Sequence, residues 1–125
     1  MILDTCALLW LAEGGKQLSK QARTRIEDAP VVFVSAISAF EVAAKCRSGK
    51  LKLPVPPMEW FHGIIEHHGI AVEPLDWDIC MAAVDLPPIH KDPCDRFIIA
   101  TAKMRHLPVV TADPIFQSYG IEVIA

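Results

Sequence analysis

Five short strand-like runs recur along the chain, and the first four are parted from one another by longer segments with apolar residues at helical spacing. The runs are MILD (Met1 to Asp4), VVFVSA (Val31 to Ala36), IAVEPL (Ile70 to Leu75), PVVTA (Pro108 to Ala112) and the final IEVIA. Strands joined through helices pair in parallel by right-handed crossovers, so this alternation predicts an α/β domain with a parallel sheet. TCALLWLAEG reads as the first helix, stopped by Gly14-Gly15, and SKQARTRIEDA as the second, capped by Ser19. Ser38 is expected to open SAFEVAAKCRSGK. PPMEWFHGIIEHHG runs as a helix from Pro57 to Gly69, and DWDICMAAVDL and the segment after Pro93 are further helices. A short turn, DPIFQSYG, precedes the last strand.

The 125 residues predict one domain over residues 1–125, and the 52% hydrophobic content suffices for a core without staples. No stretch approaches the roughly 20 apolar residues of a membrane span. A basic leader with a cleavage site is also absent, so a soluble cytoplasmic protein is expected. Cys6, Cys46, Cys80 and Cys94 are scattered without a C-x-x-C pair, which predicts reduced, buried thiols rather than disulfides or zinc. His62, His67 and His68 lack the H-E-x-x-H spacing and read as a solvated helix end. The formal net charge of -3 does not mark a nucleic-acid binder, although binding follows local charge.

Strand ends and the first turns of the helices that follow them share one edge of a parallel sheet, which is where functional groups gather. Four acids have such positions. Asp4 ends the first run, Glu41 is expected in the first turn of the helix after the second, Asp95 in the first turn of the helix after Pro93, and Asp113 ends PVVTA. Each except Asp4 has a simpler local explanation. Ser38 to Glu41 spells a capping box, Asp95 suits a helix dipole, and Asp113 before Pro114 suits a turn. A carboxylate at a buried strand end is harder to account for without a partner. Asp92, followed by Pro93, reads as an N-cap. Gathered together, the four would repel one another and raise their pKa values unless a cation neutralised them. Oxygen ligands without His or Cys select Mg²⁺ or Mn²⁺, and the implied chemistry is metal-assisted phosphodiester hydrolysis.

The chain resembles the PIN domain, and within it the VapC-type toxin ribonucleases of toxin–antitoxin pairs. The resemblance is carried by MILDTCALLWL, VSAISAFEVAAKCRSGKLKLP, LPPIHKDPCDRFIIATA and LPVVTADPIFQSYG, in that order, and spans essentially the whole chain. It implies a PIN-like three-layer α/β/α fold with a central parallel sheet of about four to five strands flanked by helices. The family's acidic quartet falls on Asp4, Glu41, Asp95 and Asp113, as catalytic groups and metal ligands. Thr111 would support them in a T-x-D strand end. Cys6 stands where many relatives carry another small or polar residue, often His, and no role is assigned to it. The resemblance further implies a Mg²⁺- or Mn²⁺-dependent endoribonuclease, usually a homodimer, silenced by a cognate VapB-type antitoxin whose C-terminal segment lies across the groove.

RNA would be held by a basic rim, for which Lys45, Arg47, Lys50 and Lys52 are the best window, joined by Lys91 and Arg96. The same cations would also suit a helix C-terminus. Trp10, Trp60 and Phe61 fit either an interface or the core. Among alternatives, a phosphatase of the haloacid-dehalogenase type needs D-x-D, whereas Asp4-Thr5-Cys6 lacks the second acid. No G-x-G-x-x-G follows a strand, which disfavours a dinucleotide binder. A catalytically silent PIN-like module that only binds RNA or protein would be expected to have lost acids.

Overall fold

The computed structural model covers residues 1–125. Five parallel strands form one sheet in the order β3-β2-β1-β4-β5. They are β1 (Ile2–Leu3), β2 (Phe33–Ser35), β3 (Ala71–Glu73), β4 (Val109–Val110) and β5 (Val123–Ile124). The helices are α1 (Thr5–Ala12), α2 (Lys20–Asp28), α3 (Ala36–Arg47), α4 (Pro57–His68), α5 (Trp77–Asp85) and α6 (Pro93–Arg105). A 3-10 helix at Pro114–Tyr119 leads into β5.

The register explains why the sheet is buried on both sides. Ile2 pairs with Phe33 and Val109, and Val109 with Val123; the next residues, Leu3, Val34, Val110 and Ile124, are likewise matched. Successive strand residues point to opposite faces, so these two rows feed separate cores. Leu3, Val34, Val110 and Ile124 pack with Ala7 and Leu8 of α1, Ala22 of α2 and Trp60 of α4. Ile2 and Val109 pack with Ile98, Ile99 and Ala102 of α6 and with Phe116 and Tyr119. Continuous apolar strands covered on both faces are the normal condition of a parallel sheet. Trp60 is buried, which makes it core; Trp10 and Phe61 are only partly buried, packing against the same core while keeping an exposed side.

Local signals that differ from the sequence reading have physical causes. VVFVSA supplies only three strand residues, because the Ser35 hydroxyl accepts the Ile37 N–H at 3.1 Å and starts α3 at once. Ser35, not Ser38, is therefore the N-cap, and no capping box forms. Ser38 is buried and its hydroxyl meets that of Thr5 at 2.9 Å, tying α1 to α3. Glu41 consequently sits in the second turn of α3 rather than the first. The cysteines are unpaired thiols as expected, yet none is fully buried, and Cys6 is exposed. Gly69 ends α4 in the left-handed conformation at φ 63°, which a side chain would resist.

β1 is first in the chain but central in the sheet, with β2 and β3 laid to one side and β4 and β5 to the other. The direction of winding reverses at β1, so a crevice opens beyond the carboxyl ends of β1 and β4. Asp4 follows β1 directly, and Asp113 lies three residues beyond the end of β4.

Candidate active site

Asp4 caps α1. Its Oδ1 accepts the Ala7 N–H at 2.7 Å and its Oδ2 accepts the Thr111 hydroxyl at 2.5 Å, while its own N–H donates to the Val110 carbonyl at 3.1 Å. Thr111 also receives the Asp113 N–H at 3.0 Å, so one buried threonine ties both strand-end acids. Burial is the main reason the Asp4 carboxyl is held above its usual range; the Thr111 and Ala7 bonds oppose it, and the charges of Glu41 and Asp113 add to it.

Glu41 projects from α3 with 12% of its side chain exposed. Its Oε2 pairs with Lys45 Nζ at 2.9 Å, one helical turn on. That bond, followed by the Glu41 charge, holds the Lys45 ammonium above its ordinary value despite partial burial. Glu41 Oε1 is buried without any hydrogen-bond partner. A buried carboxylate oxygen left bare is costly, and a cation is the partner such a site lacks.

Asp92 is the N-cap of α6, as expected, accepting from the N–H groups of Cys94 and Asp95 at 2.8 and 3.2 Å. Asp95 follows in the first turn of α6, with its Oδ2 3.0 Å from His90 Nε2. Burial, then the charges of Asp92, Glu41 and Asp4, push its carboxyl up to about 7, against the pull of His90. Asp113 caps the 3-10 helix through Oδ1, which accepts the Ile115 N–H at 3.0 Å. Its turn-forming role and its place in the cluster are therefore compatible.

His90 is the member that sequence reasoning missed. Its Nε2 lies 3.0 Å from Asp95 Oδ2 and 3.0 Å from Asp113 Oδ2, with the imidazole almost buried. The ligand atoms of His90, Asp95 and Asp113 all lie within 4.8 Å of one another. The only sequence signal was its position two residues before Asp92 in HKDPCD.

The basic residues are distributed differently from the sequence reading. Lys45 lines the site, and Arg47, Lys50, Lys52 and Lys91 are exposed. Arg96 is turned inward instead: its guanidinium donates to the carbonyls of Ala83, Leu86, Pro87 and His90 at 2.8 to 3.1 Å and of Val84 at 3.3 Å. It fastens the end of α5 and the following loop to α6 and is not available to a rim. Burial first, and nearby carboxylates next, raise the thiols of Cys6 and Cys94, the latter to about 11.

A carboxyl titrating at about 7 when folded and at its ordinary 3.8 when unfolded holds its proton more tightly in the native state. Stability is then greatest below the unfolded value and declines as the pH rises through the window between the two. The metal-free protein is thus expected to melt at lower temperature at pH 8 than at pH 5, and Asp95→Asn should flatten this difference. Identical pH slopes for the two proteins in differential scanning calorimetry would contradict it.

Comparison with known proteins agrees with this architecture. The family model described as the PIN domain matches residues 1–122. The chain is 31% identical over 121 residues to Ribonuclease VapC22 of Mycobacterium tuberculosis, covering 95% of this chain and 91% of that protein. It superimposes on DNA-bound VapBC from Salmonella typhimurium with a TM-score of 0.71 at 17% identity, covering 98% of this chain and 95% of that one. A toxin–antitoxin complex from Klebsiella pneumoniae gives 0.68 at 19% identity (99% and 95% covered), and FitAcB from Neisseria gonorrhoeae gives 0.66 at 20% (99% and 96%). At these identities the structures speak for the fold.

Proposed function

The chain belongs to the PIN-domain family, and from that premise we propose that it is a divalent-metal-dependent endoribonuclease, the toxin of a VapBC-type pair. The observation that carries the reading is an electrostatic one. The charges of Glu41 and Asp113 add to the raising of the Asp4 carboxyl, those of Glu41 and Asp4 to the raising of Asp95, and Glu41 Oε1 is buried with nothing bonded to it. Such a donor set of oxygens fits a hard divalent ion that keeps waters of its own.

In this reading Asp4, Glu41, Asp95 and Asp113 hold the ion, whose chemistry when bound is to acidify water and to neutralise charge on the scissile phosphate. The chain supplies the rest. Thr111 fixes the Asp4 carboxylate, the Asp92 cap starts the helix that carries Asp95, and the Ile115 N–H fixes Asp113. Lys45 keeps positive charge beside Glu41, where it faces an incoming phosphodiester. Discrete cleavage of RNA by the purified protein with Mg²⁺ or Mn²⁺, abolished by a chelator, is the expected result. RNA left intact with both ions would overturn the proposal.

Affinity for RNA is assigned to Lys45, Arg47 and Lys50, which follow one another down the last turn of α3 and into the loop. Replacing all three by Gln should lower the slope of log binding constant against log salt by about 2 to 3, near one unit for each phosphate contact removed. A filter-binding titration of a catalytically inert background reads this directly, and an unchanged slope would remove these residues from the rim.

The partner reading rests on the relatives, several of which are described as toxin–antitoxin or VapBC complexes. An apolar hollow of about 280 Å³ lined by Ala39, Ala43, Met58, Phe61 and Ile65 lies between α3 and α4 and gives an antitoxin segment a surface to cover. A homodimer in the cytoplasm completes the proposal; no helix is long and apolar enough to cross a membrane.

A further inference from the structure

We propose that His90 is a positioning residue of this site: its Nε2–H bonds Asp113 and lies against Asp95, and so holds the two carboxylates in the orientation in which they receive the divalent ion. The inference rests on the metal-site reading above and adds a residue outside the acidic quartet.

The geometry fixes what the imidazole does. Nδ1 lies 3.2 Å from the Asp92 N–H and accepts from it, so the lone pair belongs on Nδ1 and the proton on Nε2. Nε2 then meets Asp113 Oδ2 at 3.0 Å as a donor and not as a ligand, and Asp95 Oδ2 lies at the same distance from it without a hydrogen bond. The ring has little freedom to turn. Its edge packs on Phe116 with centroids 5.8 Å apart at an angle of 84°. The His90 N–H donates to the Tyr119 hydroxyl at 2.7 Å, the hydroxyl donates to the Pro87 carbonyl at 2.8 Å, and the His90 carbonyl accepts from Arg96 at 3.1 Å.

The arrangement solves a problem set by the fold. Asp95 opens α6 and Asp113 caps the 3-10 helix, so no shared element fixes one against the other. Two carboxylates facing one crevice repel and would swing apart toward solvent. One buried N–H, bonded to Asp113 and beside Asp95, offsets that repulsion. Donors of this kind behind metal-ligating groups govern affinity by limiting reorientation on binding, and their loss commonly weakens it by about 10- to 100-fold.

The test uses the full chain without RNA. Mn²⁺ binding is measured by electron paramagnetic resonance and calorimetry for wild type, His90→Leu and His90→Gln. The tautomer is read by long-range ¹H–¹⁵N NMR on the metal-free wild type. We expect Nε2 to be protonated and Nδ1 bare. His90→Leu should weaken Mn²⁺ binding about 10- to 100-fold, and His90→Gln, whose amide still donates, should recover most of the loss. Undiminished Mn²⁺ affinity in His90→Leu, equal losses in the two variants, or a bare Nε2 whose resonance is broadened by direct Mn²⁺ ligation would each overturn the inference. Wild-type protein that binds Mn²⁺ yet cleaves no RNA would overturn the nuclease proposal and leave this one standing, since neither readout involves RNA.

Discussion

Replacing Asp95 by Asn is expected to abolish RNA cleavage while leaving the metal-free protein at least as stable as wild type. The two halves of that result have one cause. Asp95 is pushed to about 7 because burial and the charges of Asp92, Glu41 and Asp4 disfavour its ionised form. An amide of nearly the same shape removes the unfavourable charge, so folding loses nothing there. The divalent ion, by contrast, loses a charged ligand. A bound metal contributes several kcal/mol of transition-state stabilisation, and about 1.4 kcal/mol corresponds to a factor of ten, so a loss of about 10³-fold or more is expected. Cleavage of a fluorogenic RNA by wild type and variant, with melting curves of both, checks the pair of outcomes. Substantial residual cleavage would remove Asp95 from the machinery. Lost cleavage accompanied by a collapse in melting temperature would mean that the residue is structural.

Arg96→Met should produce the opposite profile, a large loss of stability from a residue that touches no substrate. The guanidinium satisfies carbonyls at the C-terminus of α5, which the helix itself leaves without donors, and then those of the loop as far as His90. Removing it strands several part-buried carbonyls and withdraws a cation from a helix C-terminus. About 3 kcal/mol is expected, or roughly 10 °C in melting temperature for a domain of this size. Lysine should not rescue it, because a single ammonium cannot reach carbonyls arranged around a planar fork. Urea denaturation reads the change, and a loss below about 1 kcal/mol would show that water replaces the fork without difficulty.

Arg96 also shows where the sequence stopped being informative. Beside Asp95 in the chain, it reads as a neighbour of the acids. Consecutive residues of a helix project about 100° apart, however, so the same turn that sets Asp95 beside His90 aims Arg96 at α5. His90 is a second case. Its partner Asp113 is 23 positions away, and only the closing of α6 against the 3-10 helix brings them together. Features decided by local chemistry were legible: the Asp92-Pro93 cap, the Ser19 cap, the Gly69 stop, and a parallel sheet read from five apolar runs separated by helices. The Ser35 and Ser38 hydroxyls illustrate the boundary between the two. Both can cap a helix, and the choice was made by Thr5 of another helix, which engages Ser38.

The strand order has a consequence for how such an enzyme comes into being. Ile2 pairs with Val109, so one flank of the innermost strand stays open until more than a hundred further residues exist. Pairings that distant make folding slow and keep incomplete chains loosely organised. Asp113 arrives later still than Val109. A nascent chain that stalls or is truncated before this point carries three of the acids but cannot bring the fourth to them. Catalytic competence is thus delayed by topology until almost all of the described polypeptide has been made, an interval in which a binding partner translated alongside could already be waiting.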